Sequence, residues 1–197
     1  MSSRVYKIAL FGGGCVGKSA VVIRSLKGIF AEAFDPTIED SYTMEIEVDG
    51  RQYKLDITDT SGSEEASLIW DSYIKDNQGY VLVYSIASDI SFKEAKDYYE
   101  RIIRVKGADD FSIVLVGNKC DLEGERQVTT EQGEELARNL NCPFFEASAK
   151  DGTHVDDAFT EIVREITSRN PPEPEPEHEP AEEKSKGGKF FKFFKRK

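Results

Sequence analysis

The sequence predicts an α/β fold: a six-stranded, mostly parallel sheet with one antiparallel edge strand and helices on both faces. Three observations predict it. Apolar runs at Val5–Phe11, Tyr80–Ile86, Ser112–Gly117 and Pro143–Ala147 have the look of central strands buried on both sides. Helical patterns alternate with them at 18–27, 66–76, 89–106, 129–140 and 153–169. One stretch has period two instead: Tyr42, Met44, Ile46 and Val48 alternate with Thr43, Glu45 and Glu47. Asp49-Gly50 then signals a tight turn, and Tyr53, Leu55 and Ile57 alternate on the return, which makes a hairpin.

Taken in chain order, the first strand, Arg4 to Phe11, runs into Gly12-Gly13-Gly14-Cys15-Val16-Gly17-Lys18-Ser19, and a helix follows through Ala20. The spacing is Gly-x4-Gly-Lys-Ser, in the strand–loop–helix context that a phosphate-binding loop needs. Glycines let backbone N–H groups turn inward around an anion, and the helix adds its positive N-terminal dipole. Lys18 is placed to reach β- and γ-phosphates, and the Ser19 hydroxyl to ligate Mg²⁺.

The hairpin's return strand ends in Asp59-Thr60-Ser61-Gly62. An acid at the carboxyl end of a strand beside the loop suits a Mg²⁺-linked carboxylate, and Gly62 offers its N–H to a terminal phosphate. Beyond the strand Ile113–Val116 stands Asn118-Lys119-Cys120-Asp121, followed by Leu122. Asp121 matches the N1–H and N2–H₂ donors of guanine. Adenine has neither and would leave the carboxylate unpaired, at a cost of a few kcal/mol. The Lys119 stem suits the plane of the base. Ser148-Ala149-Lys150, after the last strand, forms a second base loop with the Ala149 N–H free for O6. Each motif is common alone; four in this order are not.

Composition sets the outer bounds. A chain of 197 residues suits one domain plus appendages, and no apolar run approaches a membrane span of about 20 residues. Met1-Ser2-Ser3-Arg4 has neither an apolar signal region nor the Gly that myristoylation requires. Cys15, Cys120 and Cys142 are few and unclustered, which fits a reducing cytosol rather than disulfides or zinc. Residues 1–170 hold 31 acids and 19 bases, a balance that argues against nucleic acid as a partner. Residues 171–183 carry six acids and no base, and residues 184–197 carry seven bases and no acid. The expected organisation is a nucleotide-binding domain over 1–170, a stiff Pro/Glu linker over 171–183, and a basic aromatic tail over 184–197.

With these motifs in order, residues 4–169 resemble a small GTPase of the Ras superfamily, closest to the Ras/Rap branch. Phe30 and Asp35-Pro36-Thr37-Ile38-Glu39-Asp40-Ser41-Tyr42 resemble that branch's first switch and effector segment. The resemblance implies a P-loop G domain that binds GTP or GDP with Mg²⁺ and acts as a monomeric switch. Phe30 would stand edge-on near the base, Asp35 would line the nucleotide, and Thr37 would join Ser19 and Asp59 around Mg²⁺. Residues 32–42 and 60–76 would be the two switches, ordered by the γ-phosphate and relaxed without it. Effectors would engage residues 34–42 and pair with the edge strand 41–48. An exchange factor and a GTPase-activating protein are implied as regulators.

The chain departs from the pattern in places. Ser63 stands where the family usually has the Gln that orients the attacking water. Its short hydroxyl cannot present both an acceptor to water and a donor to the transferring oxygens, so slow intrinsic hydrolysis is expected; a tenfold loss is only about 1.4 kcal/mol of barrier. Lys18, Thr37, Gly62 and Ser63 are the candidate catalytic set. Two readings stand: a cycle that depends on an activator, as in Rap-like proteins with Thr at that position, or a chain that stays GTP-bound and serves as a scaffold. An adenine-specific P-loop enzyme is disfavoured by Asp121. Ser61 replaces an Ala, and Phe34 a Tyr. Cys15 replaces a loop Gly, either as a tolerated small residue or as a thiol activated by Lys18 and the helix dipole. Trp70 and Ile69 are either a partner surface or packed. His154 and His178 read as solvated, and Val155, Phe159, Ile162, Val163 and Ile166 as core.

The branch typically ends in a prenylated cysteine, whereas the last cysteine here is Cys142. The tail Lys189-Phe190-Phe191-Lys192-Phe193-Phe194-Lys195-Arg196-Lys197 gathers four Phe on one side of a helical wheel, and resembles Rit-like members, which also lack a prenylation box and end in basic, aromatic tails. It is expected to bind an anionic surface, at about 1 kcal/mol per base. That would make the protein cytoplasmic and peripheral at the inner face of the plasma membrane without lipidation. Nuclear import, a calmodulin-type partner or pairing with 173–183 are the alternatives.

Overall fold

The structure, a computed structural model, describes residues 4–30, 39–60, 67–107 and 111–171. Among these residues, six strands form one sheet in the order β2-β3-β1-β4-β5-β6. They are β1 (Arg4–Phe11), β2 (Glu39–Val48), β3 (Arg51–Thr60), β4 (Gly79–Ser85), β5 (Ser112–Asn118) and β6 (Phe144–Ala147). The helices are α1 (Lys18–Lys27), α2 (Ser67–Asp76), α3 (Asp89–Lys106), α4 (Thr130–Leu140) and α5 (Val155–Arg169). Only the β2–β3 pair is antiparallel, with Val48 opposite Arg51 at the turn and Glu39 opposite Thr60 at the far end. The predicted α/β sheet with one antiparallel edge strand is the fold observed.

Alternation along each strand sends neighbouring side chains to opposite faces, so the sheet carries two cores. Tyr6, Ile8 and Leu10 of β1 join Val81, Val83, Val114 and Val116 beneath Val21 and Val22 of α1 and Phe159, Ile162 and Ile166 of α5. Ala9 and Phe11 join Tyr80, Leu82, Tyr84, Ile113 and Leu115 beneath Trp70, Ile74, Tyr98 and Ile102. Burying each large side chain contributes about 1.5–3 kcal/mol. The expected apolar face of the last helix is buried as predicted. Trp70 is packed rather than exposed, its ring 6.3 Å from Phe11 and 5.0 Å from Tyr98, with the Arg101 guanidinium over it. No described helix is long and apolar enough to cross a membrane.

Element ends differ from the periodicity in ways that local chemistry explains. β5 continues one residue beyond Gly117, because Asn118 pairs in register with Ala147 of β6. The last helix begins at Val155 rather than 153, since His154 holds a left-handed backbone (φ 50°) that cannot continue a helix. Its imidazole is exposed, as expected, but Nδ1 donates to the Glu146 carbonyl at 2.8 Å. Thr129 lies outside α4 as its cap: its hydroxyl accepts from the Gln132 N–H while the Gln132 side chain accepts from the Thr129 N–H. A 3-10 turn, Glu123–Glu125, follows the Asp121 motif and has no signature in the periodicity.

Candidate functional site

The chain leaves β1 for β2 and β3 on one side and returns to β4 on the other. The carboxyl ends of β1, β3, β5 and β6 therefore gather around the point where the sheet order reverses, the usual crevice of an open α/β sheet. Each sequence motif hangs from one of those ends. The loop after β1 carries residues 12–19, β3 ends at Asp59-Thr60, β5 ends at Asn118, and β6 delivers Ser148-Ala149.

The loop's shape is enforced sterically. A Cβ on Gly12 would lie 2.1 Å from the Val83 carbonyl oxygen, so only glycine fits. Gly17 sits at φ 96° with Asn118 Nδ2 2.4 Å from where its Cβ would be, which brings the loop directly against the base motif. Cys15 also holds a left-handed backbone (φ 61°), the conformation glycine favours, and is exposed. α1 starts at Lys18 with Gly17 as cap, no capping side chain and no acid in its first turn. By contrast, α3, α4 and α5 each carry acid there. No acid in α1's own first turn offsets the positive end of its dipole, which faces the loop.

Two charges are buried beside it. Lys18 is 7% exposed, and its Nζ donates to the Gly12 and Gly13 carbonyls at 2.8 and 2.9 Å. Burial lowers its pKa, opposed by the charge of Asp59. Asp59 is fully buried; burial raises its pKa, opposed by the Ser19 hydroxyl, which donates to Oδ2, and by Lys18. Asp59 Oδ1 has no hydrogen-bond partner among the described residues. A hydroxyl and a carboxylate with an orphaned oxygen, both hard donors, fit a hard divalent cation such as Mg²⁺.

At the other end Asn118 is a hub. Its Nδ2 donates to the Val16 carbonyl at 2.8 Å, and its Oδ1 accepts from the Ala149 N–H at 3.2 Å. That amide is therefore engaged, where the sequence leaves it free for the base. Asp121 Oδ1 accepts from Ser148 Oγ at 2.7 Å, and the Cys120 N–H donates to the Ala147 carbonyl at 3.0 Å. Lys119, itself left-handed at φ 67°, sends Nζ to the Cys15 carbonyl at 2.7 Å, so its stem crosses from the base loop to the phosphate loop. Phe30, 40% exposed, follows α1. Ala20 and Leu122 are half-buried, and Lys150 is exposed. Phe34, Asp35, Thr37, Ser61, Gly62, Ser63, residues 34–38 of the effector segment, the side chain of Ile69 and residues 172–197 lie outside the described residues.

Sequence reasoning missed Arg126 and Glu146, whose ion pair stands behind the base loops, and the Lys119–Cys15 link. Opposite charges at short offsets from Asp121 and Ser148 were the available signal for the first; no periodicity marks the second.

A glycine loop, an uncapped helix start, a buried Lys–Asp pair and a second polar cluster joined through Asn118 define a P-loop nucleotide-binding protein. The model of the Ras family matches residues 7–168, and the chain belongs to that family. Ras-family proteins are GTPase switches that bind GTP or GDP with Mg²⁺ and work with exchange factors, activating proteins and effectors.

Proposed function

We propose that this chain is a Ras/Rap-like GTP/GDP switch with slow intrinsic hydrolysis. The observation that carries the reading is Asn118, whose one amide joins the phosphate loop at Val16 to the second base loop at Ala149. The Asn118 contacts bring together motifs over 100 residues apart in sequence, as the phosphate end and the base end of one site would require.

In this reading the amides of Gly13 to Ala20 bind the phosphates. Lys18 gives up its carbonyl contacts to neutralise β- and γ-oxygens, and the α1 dipole adds to the same field. Asp121 selects guanine, with Lys119, Leu122, Phe30 and Lys150 around the base. Ser19, Thr37 and Asp59 would hold Mg²⁺, which when bound supplies Lewis-acid charge to the phosphoryl oxygens. By its place in the sequence Gly62 would offer its N–H to the terminal phosphate, and Ser63, standing where the family usually has Gln, would orient water poorly. Effectors read 34–42 and the 41–48 edge, where Tyr42 is half-buried and, among the described residues, the outer side of β2 has no neighbouring strand. Residues 1–170 form the switch, 171–183 a charged spacer, and 184–197 an anchor for anionic membrane at the inner face of the plasma membrane.

Single-turnover hydrolysis of the wild type beside Ser63→Gln tests the catalytic part: glutamine should accelerate it about tenfold or more. No acceleration with or without an activating protein would show that Ser63 does not limit the rate. GTP rather than GDP on the freshly purified protein would favour the permanently loaded scaffold. For the tail, sedimentation with vesicles should require phosphatidylserine; equal retention by neutral vesicles would contradict the electrostatic anchor.

A further inference from the structure

The two base loops come from different strands, and inside the pocket they meet through Ser148–Asp121, Ala149–Asn118 and Cys120–Ala147. A heavier connection lies behind them. Arg126, next after the 3-10 turn, donates from Nη1 to Glu146 Oε1 at 2.6 Å and from Nη2 to Glu146 Oε2 at 2.9 Å. Its Nε donates to the Glu123 carboxylate at 2.9 and 3.0 Å, and Nη1 also reaches the Val128 carbonyl at 2.9 Å. The Arg126 and Glu146 side chains are 15% and 17% exposed, so water competes little with their fork-to-fork contact. Glu146 lies opposite Gly117 in the sheet, one residue before Ala147 and two before Ser148. The pair therefore ties the segment leaving Asp121 to the strand delivering Ser148, and the carboxyl end of β6 is braced again where His154 meets the Glu146 carbonyl.

We propose that the Arg126–Glu146 pair is a positioning clasp for guanine: it fixes the distance between the two base loops, and through it the hold of Ser148 on the Asp121 carboxylate. Neither residue touches the base. The clasp sets how fast nucleotide leaves and how strictly the 2-amino group of guanine is read. The inference rests on the guanine-nucleotide reading above. Lysine can replace Arg126 only in part, because a single ammonium has no planar fork to match both carboxylate oxygens.

The test uses the full chain. The double variant Arg126→Met/Glu146→Gln removes both charges together and leaves no orphaned ion in the interior. Dissociation of a fluorescent GDP should be about tenfold faster. The preference for GDP over IDP, which lacks the 2-amino group, should fall by about fivefold or more. Arg126→Lys, which keeps the charge and preserves folding should the double variant fail, should lie between it and wild type on both measures. Equal acceleration for GDP and IDP with the preference intact would reduce the pair to a structural brace and overturn the proposal. So would unchanged rates in variants that melt cooperatively. A wild type that prefers GDP while its variants match it refutes the clasp alone. A wild type that binds GDP no better than ADP refutes the underlying reading as well.

Discussion

At the phosphate end the protein buries charge that its own groups answer only in part; at the base end the polar groups already hold one another. Lys18 rests on two loop carbonyls, and Asp59 keeps one oxygen without a partner among the described residues. Asn118, Asp121, Ser148 and Ala149, by contrast, form a connected set, backed by Arg126 and Glu146. The two ends divide the labour accordingly. The phosphate end stores unfavourable desolvation that a polyanion and a cation would relieve, so it supplies affinity. The base end is pre-organised and loses little order on binding, so it supplies selectivity. The price of the first arrangement is a less stable empty protein.

The sharpest way to break this comparison is to empty the phosphate end of its cation. Lys18→Met should weaken GDP and GTP binding about a hundredfold or more, the worth of two charge-assisted hydrogen bonds. It should change the melting temperature of the nucleotide-free chain little, because relief of a desolvated ammonium is offset by the loss of its charge beside Asp59. Nucleotide titration and thermal melting on the same samples check both halves; a large fall in melting temperature with little change in affinity would assign Lys18 to the fold.

A smaller effect concerns Asp59. Its pKa in the folded chain is raised, so between the ordinary carboxylate range and that raised value the folded state binds more protons than the unfolded one. Stability of the metal-free, nucleotide-free protein should therefore fall as pH rises through that window. Asp59→Asn should melt higher than wild type at neutral pH in chelator, with the gap closing as pH drops toward 4, and should bind nucleotide with weaker dependence on Mg²⁺. Parallel pH–melting curves for the two proteins would contradict the assignment.

The smallest effect probes the support beneath the base end. Tyr84 stands opposite Gly117 in the sheet, and its fully buried hydroxyl has no partner among the described residues. Burial also pushes its pKa well above the ordinary phenol value. Tyr84→Phe removes the orphaned group and keeps the ring packed on Phe92, 5.0 Å away. Stability should rise by about 1 kcal/mol in denaturant titration, with guanine selectivity unchanged. A loss of stability would mean that the hydroxyl is satisfied.

Much of this was legible in the sequence, for a physical reason. The phosphate loop is a local object: a strand, a sterically required turn and a helix start lie within some sixteen residues, so spacing alone reports it. Asp59 is legible because it stands at the end of a strand with a clear period of two, and Asp121 because it follows closely on an unbroken apolar strand. The two cores follow from the alternation along β1, β4 and β5. Other features depend on choices among many equivalent groups. Arg126 has several acids within a few residues, and only the folded sheet selects Glu146. The Lys119–Cys15 bond joins two left-handed residues, a backbone state that side-chain pattern does not encode. His154 delays the start of α5 for the same reason. The Ala149 amide reads as free in a tripeptide and is engaged in the fold because Asn118 sits 31 positions away in sequence but adjacent in space.

The central claim is that Asp121, held by Ser148, reads guanine while the phosphate loop holds whatever nucleotide is presented. Competition binding of GDP against ADP in Mg²⁺, for wild type and Asp121→Ala, tests it most directly. Wild type should prefer GDP by about a hundredfold or more, and Asp121→Ala should lose most of that preference through weaker GDP binding while its ADP affinity stays within about threefold. Equal affinity for the two nucleotides in the wild type, or a preference that survives the loss of Asp121, would contradict the account.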